Sequence, residues 1–379
     1  MIGWEDVYKV VVAMVPLYVA LGLGYGSVKW WRMFKPDHCD AINRFNAYFI
    51  IPFFTFQFTC SIDPYHMNYR FLAGDVVAKA IASAALALWV NFWKEANLSW
   101  AITAFSIAAM NNTLVVGVPL LKAMYGPLGE NLVVQSSVIQ SLLWLPLLLF
   151  MLEFRRTLDY NSNKSCGPGQ LCSIEIVVAT NDANSISPTT EHDELQENPT
   201  NTRMSEISTV LPQYSFGSTV KKVGVKLAKN PNIYACSLGL IWALMAKRWN
   251  FEIPSIVDGS IQIMAKAGSG VAMFSMGLFM ALQEKVIACG MRLTIYSMTL
   301  RFVGGPLTMA IGAVALGLRS NVLCIVLIQA ALPQAIVSFV FAQEYGLHAN
   351  LLSTAVIFGT IISLPLLIAY YAILEVLQQ

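Results

Sequence analysis

Met110-Asn111-Asn112-Thr113-Leu114-Val115-Val116-Gly117-Val118-Pro119 decides how this chain is read. The stretch lies inside a segment apolar enough to cross a membrane, yet it carries two adjacent amides, a glycine and a proline. Backbone at bilayer depth must bond internally, so an interrupted helix persists there only against protein or a watery cavity. The stretch therefore reads as one half of a substrate site.

The composition agrees with a membrane setting. Of 379 residues, 56% are hydrophobic and 12% charged, against about 25% charged in soluble domains. A hydrocarbon core takes about 20 mostly apolar residues per helix. On that measure spans fall near 7–28, 39–59, 71–93, 100–124 and 131–154, then near 232–250, 257–282, 289–316, 320–343 and 350–374. The fold class is all-α: ten transmembrane helices, with residues 1–156 and 231–379 as two five-helix units. Residues 157–230 between them are rich in Ser, Thr, Asn, Asp and Glu, and read as a disordered loop. Lys and Arg gather on the loop's side of the membrane, at Arg155, Arg156 and Lys221 to Lys229 among others, so the loop is expected to be cytosolic.

The halves echo each other. Leu145-Pro146-Leu147-Leu148 matches Leu364-Pro365-Leu366-Leu367, 219 positions on, and Tyr125-Gly126 matches Tyr345-Gly346, 220 positions on. Leu332-Pro333-Gln334 then falls opposite the Asn111–Pro119 interruption. An odd number of spans per unit inverts the second unit. Interrupted segments at matching positions of inverted repeats point to a midplane transport site. If the fourth and ninth helices cross there, half-helix N-termini favour an anion, and Asn112 adds amide donors. Two proline kinks with satisfied amides remain the alternative.

Asp75 and Lys79 share a helix face in the third span. They read either as a functional intramembrane pair or as an ion pair near the membrane edge. Arg292 reads as interfacial, while Arg301 sits deeper without an evident partner. The seven cysteines and four histidines show no metal spacing, and no phosphate loop, GxSxG or HExxH pattern occurs. The sequence therefore gives no reason to expect an enzyme, a cofactor, a metal or nucleic-acid binding.

Several runs resemble the plant PIN-FORMED auxin efflux carriers. They include Val15-Pro16-Leu17-Tyr18-Val19-Ala20, Gly74-Asp75 with Lys79, Asn112-Thr113-Leu114-Val115, Pro119-Leu120-Leu121-Lys122 and Met124-Tyr125-Gly126. In the second half they include Asn230-Pro231-Asn232, Met273-Phe274-Ser275-Met276-Gly277, Leu332-Pro333-Gln334 and Phe339-Val340-Phe341-Ala342. The loop length is similar to that of the short-loop branch.

The resemblance implies a homodimeric carrier of indole-3-acetate (auxin) with a ten-helix inverted repeat and an elevator-like movement. It implies substrate contacts at Asn112, Asn232, Ile51, Leu114 and Val337, and support or gating by Asp75 and Lys79. Helix breaks are expected at Asn111, Pro119 and Pro333. The endoplasmic reticulum membrane is the expected location, with the plasma membrane as alternative. The sequence departs from the family where Asn111, Leu145, Ala335 and Ser338 stand in place of Pro, Tyr, Gly and Pro. Transport of another organic anion, proton coupling, or a transport-inactive scaffold therefore stay open as alternatives.

Overall fold

The computed structural model describes residues 4–92, 97–165, 216–283, 287 and 289–378. Every named element within them is helical. In chain order the α-helices are α1 (Trp4–Lys29), α2 (Pro36–Phe45), α3 (Ile51–Cys60), α4 (Tyr69–Phe92), α5 (Leu98–Ala109), α6 (Val118–Ile139), α7 (Leu145–Ser165) and α8 (Phe216–Ala228). Then follow α9 (Pro231–Trp249), α10 (Ser255–Lys266), α11 (Gly268–Leu282), α12 (Met291–Thr299), α13 (Gly305–Ala315), α14 (Ser320–Ala330), α15 (Ile336–Glu344) and α16 (Ala349–Gln378).

Six helical runs among the described residues are long and apolar enough to cross a membrane, including Val7–Lys29, Tyr69–Phe92 and Ala349–Val376. The outward faces match that setting. On α1, Tyr8, Val12, Val15, Val19 and Leu23 form an exposed stripe at helical spacing, while Val10, Met14 and Leu17 are buried. Exposed Leu307, Ile311 and Val314 make a similar stripe on α13. Continuous apolar surface of this length is costly in water and costs nothing against lipid tails.

Proline sets the shape of four spans. Wide π turns occur at Asn46–Ile50, Thr113–Gly117, Gln140–Trp144 and Leu300–Gly304. Each ends two residues before a proline: Pro52, Pro119, Pro146 and Pro306. Proline lacks an N–H, and its ring crowds the carbonyl four residues back. The residue before each proline instead reaches back five, as Val118 does to Thr113 and Gly305 to Leu300.

The helices pair across the two halves. α1 packs on α11, α3 on α9 and α4 on α13, while α5 meets α7 and α15 meets α16. Close backbone approach requires glycine at two of these contacts. A Cβ on Gly277 would lie 2.1 Å from the Leu21 carbonyl oxygen, and one on Gly312 would lie 2.7 Å from that of Gly74. The two Tyr-Gly matches share a positive φ: Gly126 and Gly346 have φ of 63° and 61°, a region that favours glycine.

The polar stretch is shorter than the sequence suggests. α7 runs on to Ser165, and α8 covers Phe216–Ala228. The reason for α8 is a narrow apolar edge in a basic sequence: Thr219 and Val223 are buried, and the helix rests on α7. Lys226 fastens it, with Nζ 2.6 Å from Glu344 Oε1 and 3.2 Å from Glu153 Oε1. Burial opposes that charge, but the bonds to Glu344, Tyr345 and Glu153 outweigh it and hold the Lys226 pKa above the ordinary lysine range. The expected disordered loop otherwise lies at 166–215, outside the described residues.

Candidate functional site

Two spans are interrupted, and the interruptions face each other. α5 ends at Ala109, and the chain is extended at Met110 and non-helical through Asn111 and Asn112 before the turn at Thr113. α14 ends at Ala330, and the chain leaves the helix by a turn and is non-helical through Pro333, Gln334 and Ala335 before α15. Asn111 and Gln334 form an antiparallel bridge. The Asn112 N–H donates to the Pro333 carbonyl at 2.9 Å, and the Ala335 N–H donates to that of Met110 at 3.0 Å. Each break thus supplies the other's missing backbone partners, as the bilayer interior demands.

Pro119 lies at the far end of the expected Asn111–Pro119 interruption. The extended segment closes at Asn112, and Pro119 is the second residue of α6, directly after the π turn Thr113–Gly117 that it widens. Pro333 falls in its break and lends it a carbonyl.

Side chains complete the crossing. Gln140 bonds both backbone groups of Asn111, accepting from its N–H at 3.0 Å and donating to its C=O at 2.7 Å. The Asn111 amide donates to the Gln329 carbonyl at 3.0 Å. Arg301, 1% exposed, donates to Asn111 Oδ1 at 2.7 Å, to the Ile107 carbonyl at 2.9 Å and to the Leu332 carbonyl at 2.6 Å. Arg292, by contrast, is exposed at the start of α12.

Asp75 and Lys79 form a buried ion pair at 2.9 Å, not an edge pair. The Trp144 indole N–H donates to the same carboxylate at 2.8 Å, and the Lys79 ammonium lies 5.1 Å from the Trp144 ring centre. Buried charges persist only when paired and bonded in this way. The pair and Asn111 line one small cavity together with Thr308 and Ala330, with room for about one water molecule.

The remaining expected contacts are spread over the surrounding helices. Asn112 borders the crossing, and its side-chain amide has no bonding partner among the described residues. Leu114 and Val337 are half-buried against two different apolar clusters. Asn232 sits in the first turn of α9 and accepts from Thr55 on α3 at 2.6 Å. Ile51 begins that same α3. Asn232 and Ile51 therefore belong to the α3–α9 pair and not to the crossing itself.

Sequence reasoning missed Gln140, Trp144 and Gln329 as site residues, and it named Gln334 only as part of the second break. Three of these are amides inside apolar runs, the same signal that drew attention to Asn112. Gln334 is fully buried, and neither polar atom of its side chain has a partner among the described residues. Asn112 and Gln334 thus bring two unengaged amides to one crossing.

Crossed interrupted helices carrying unpaired amides and a buried ion pair define a membrane carrier rather than an enzyme. The comparisons agree. A family model described as membrane transport protein matches residues 9–371. Auxin efflux carrier component 5 of Arabidopsis thaliana is 52% identical over 375 residues, 99% of each chain. Probable auxin efflux carrier component 5c of Oryza sativa subsp. japonica is 53% identical over 380 residues, again 99% of each. Auxin efflux carrier component 8 of Arabidopsis thaliana is 37% identical, covering 99% of this chain and all of its own. The chain belongs to the membrane transport protein family, among the short-loop auxin efflux carriers.

Proposed function

We propose that the protein carries the auxin indole-3-acetate across a membrane as its anion, by uniport through the crossing. The observation that carries this reading is the paired interruption at Asn111–Asn112 and Pro333–Gln334. Past it, the turn at Thr113 and helix α15 both begin, and their leading N–H groups carry partial positive charge. The carboxylate would meet those groups and the Asn112 and Gln334 amides. The ring would lie against Leu114, Val337 and Ile51, with Asn232 at the far side on α9.

Ten spans in two inverted five-helix repeats are the architecture that fits this reading. Its support is the symmetric pairing of helices and the matched positive φ of Gly126 and Gly346. The small cavity at the crossing suits a closed stage of an elevator-like cycle in which the crossing helices move against the rest. Asp75 and Lys79 support the cavity wall. A homodimer in the endoplasmic reticulum membrane is proposed on the family resemblance.

The test is release of labelled indole-3-acetate from proteoliposomes. Wild type is expected to release it faster than Asn112→Ala at matched protein content, and unlabelled auxin is expected to compete. Equal release by the two proteins would overturn the proposal.

A further inference from the structure

Arg301 is a buried cation without a carboxylate partner among the described residues. It lies in the π turn Leu300–Gly304, which the following Pro306 widens. All five of its N–H donors are used. Nη1 donates to the Ile107 and Ala108 carbonyls at 2.9 and 3.2 Å, Nε to the Leu332 carbonyl at 2.6 Å, and Nη2 to Asn111 Oδ1 at 2.7 Å and to the Leu332 carbonyl.

Those acceptors have a common origin. Ile107 and Ala108 are in the last turn of α5, and Leu332 follows the end of α14. The last carbonyls of a helix have no partner within it, and they carry the negative end of its dipole. Two such ends converge here: a Cβ on Gly305, beside the Arg301 turn, would lie 3.3 Å from the Ala108 oxygen and 3.4 Å from the Ala330 oxygen. In ion-coupled carriers, half-helix C-termini and unwound carbonyls of this kind coordinate the driving cation.

We propose that the Arg301 guanidinium is a tethered counter-cation for the paired C-terminal ends of α5 and α14. It fills the position a soluble coupling cation would need, so the crossing is held together without sodium or any other dissolved cation. Arg301 is a positioning residue: it touches the two helix ends and Asn111, and it acts on the substrate through the geometry of the crossing. The inference rests on the transport reading above.

The experiment measures labelled indole-3-acetate flux in proteoliposomes holding wild type, Arg301→Ala or Arg301→Lys, in sodium, potassium or choline chloride. Wild type is expected to show the same flux in all three salts. A wild-type flux that needs sodium overturns the proposal, whereas no wild-type flux in any salt overturns the transport reading instead. Arg301→Ala is expected to fall at least ten-fold in choline and to recover several-fold with millimolar guanidinium, with added choline inert. A merely structural arginine gives no such rescue. A folded Arg301→Ala that matches wild type, or stays inactive with guanidinium, overturns the proposal. If Arg301→Ala does not fold, Arg301→Lys decides. Retention of at least a third of the wild-type flux supports a counter-cation, and a folded but inactive lysine variant overturns it.

Discussion

Arg301 donates from Nη2 to the side-chain oxygen of Asn111 at 2.7 Å, and both residues are buried. Every polar group of Asn111 is engaged: the backbone pair by Gln140, the amide nitrogen by Gln329 and the oxygen by Arg301. Asn111 is thus the joint where the π turn at Gln140, the two breaks and the π turn before Pro306 are tied. A proline at this position would supply neither the N–H nor the side-chain oxygen. The asparagine therefore exchanges ring rigidity for hydrogen bonds.

Gln140→Leu leaves the Asn111 N–H and C=O without their partner. Each buried group left unpaired costs about 1–3 kcal/mol. The variant is expected to unfold at lower temperature in detergent and to carry auxin more slowly than wild type, measured by thermal unfolding and flux. An unchanged melting temperature would count against the bracing role of Gln140.

Gln334→Leu is expected to act in opposite directions on stability and flux. The buried amide has no partner among the described residues, so a leucine of similar shape removes a penalty of about 1–3 kcal/mol. The melting temperature should rise while auxin flux falls. A stable variant with full flux would show that the amide does not meet the substrate.

Much of this was legible in the sequence, and for local reasons. Two amides and a proline in an apolar run mark a break, and the spacing of Asp75 and Lys79 puts them on one face without further knowledge. The ties between breaks were not legible. Arg301 and Asn111 are 190 positions apart, and no local pattern pairs them. A proline in an apolar run does not say where the chain leaves the helix: Pro119 shapes the turn that follows the extended segment. Helix α8 was hidden by its basic, polar composition, since only a narrow edge with Val223 packs inward.

Trp144→Phe keeps the ring over Lys79 but removes the N–H that Asp75 accepts at 2.8 Å. A hydrogen bond to a charged group contributes about 1.5–3 kcal/mol. The variant should lose about that much stability and should slow transport. Equal melting curves would show that Lys79 alone satisfies Asp75.

His348 lies in the turn between α15 and α16, stacked on Trp100 at 4.0 Å and bonded to Thr103 at 2.8 Å. Burial, and then the nearby Arg155, push its pKa below the ordinary histidine value of 6.5. The folded state thus binds this proton less readily than the unfolded state. Its contribution to stability is full above the unfolded pKa and is lost as pH falls through the folded pKa. Wild type should therefore lose more melting temperature than His348→Gln on going from about pH 7 to about pH 5.

Uniport of the auxin anion through the crossing is tested most directly by accumulation under a set potential. Proteoliposomes are held at about 100 mV, inside positive, by valinomycin and a potassium gradient, with no pH gradient. One charge across that potential is worth about 2.3 kcal/mol, a concentration ratio of about 50. Wild type should draw labelled indole-3-acetate inward toward that ratio, and Asn112→Ala should lag far behind. No accumulation by wild type, or accumulation that follows a proton gradient at zero potential, would contradict uniport of the anion.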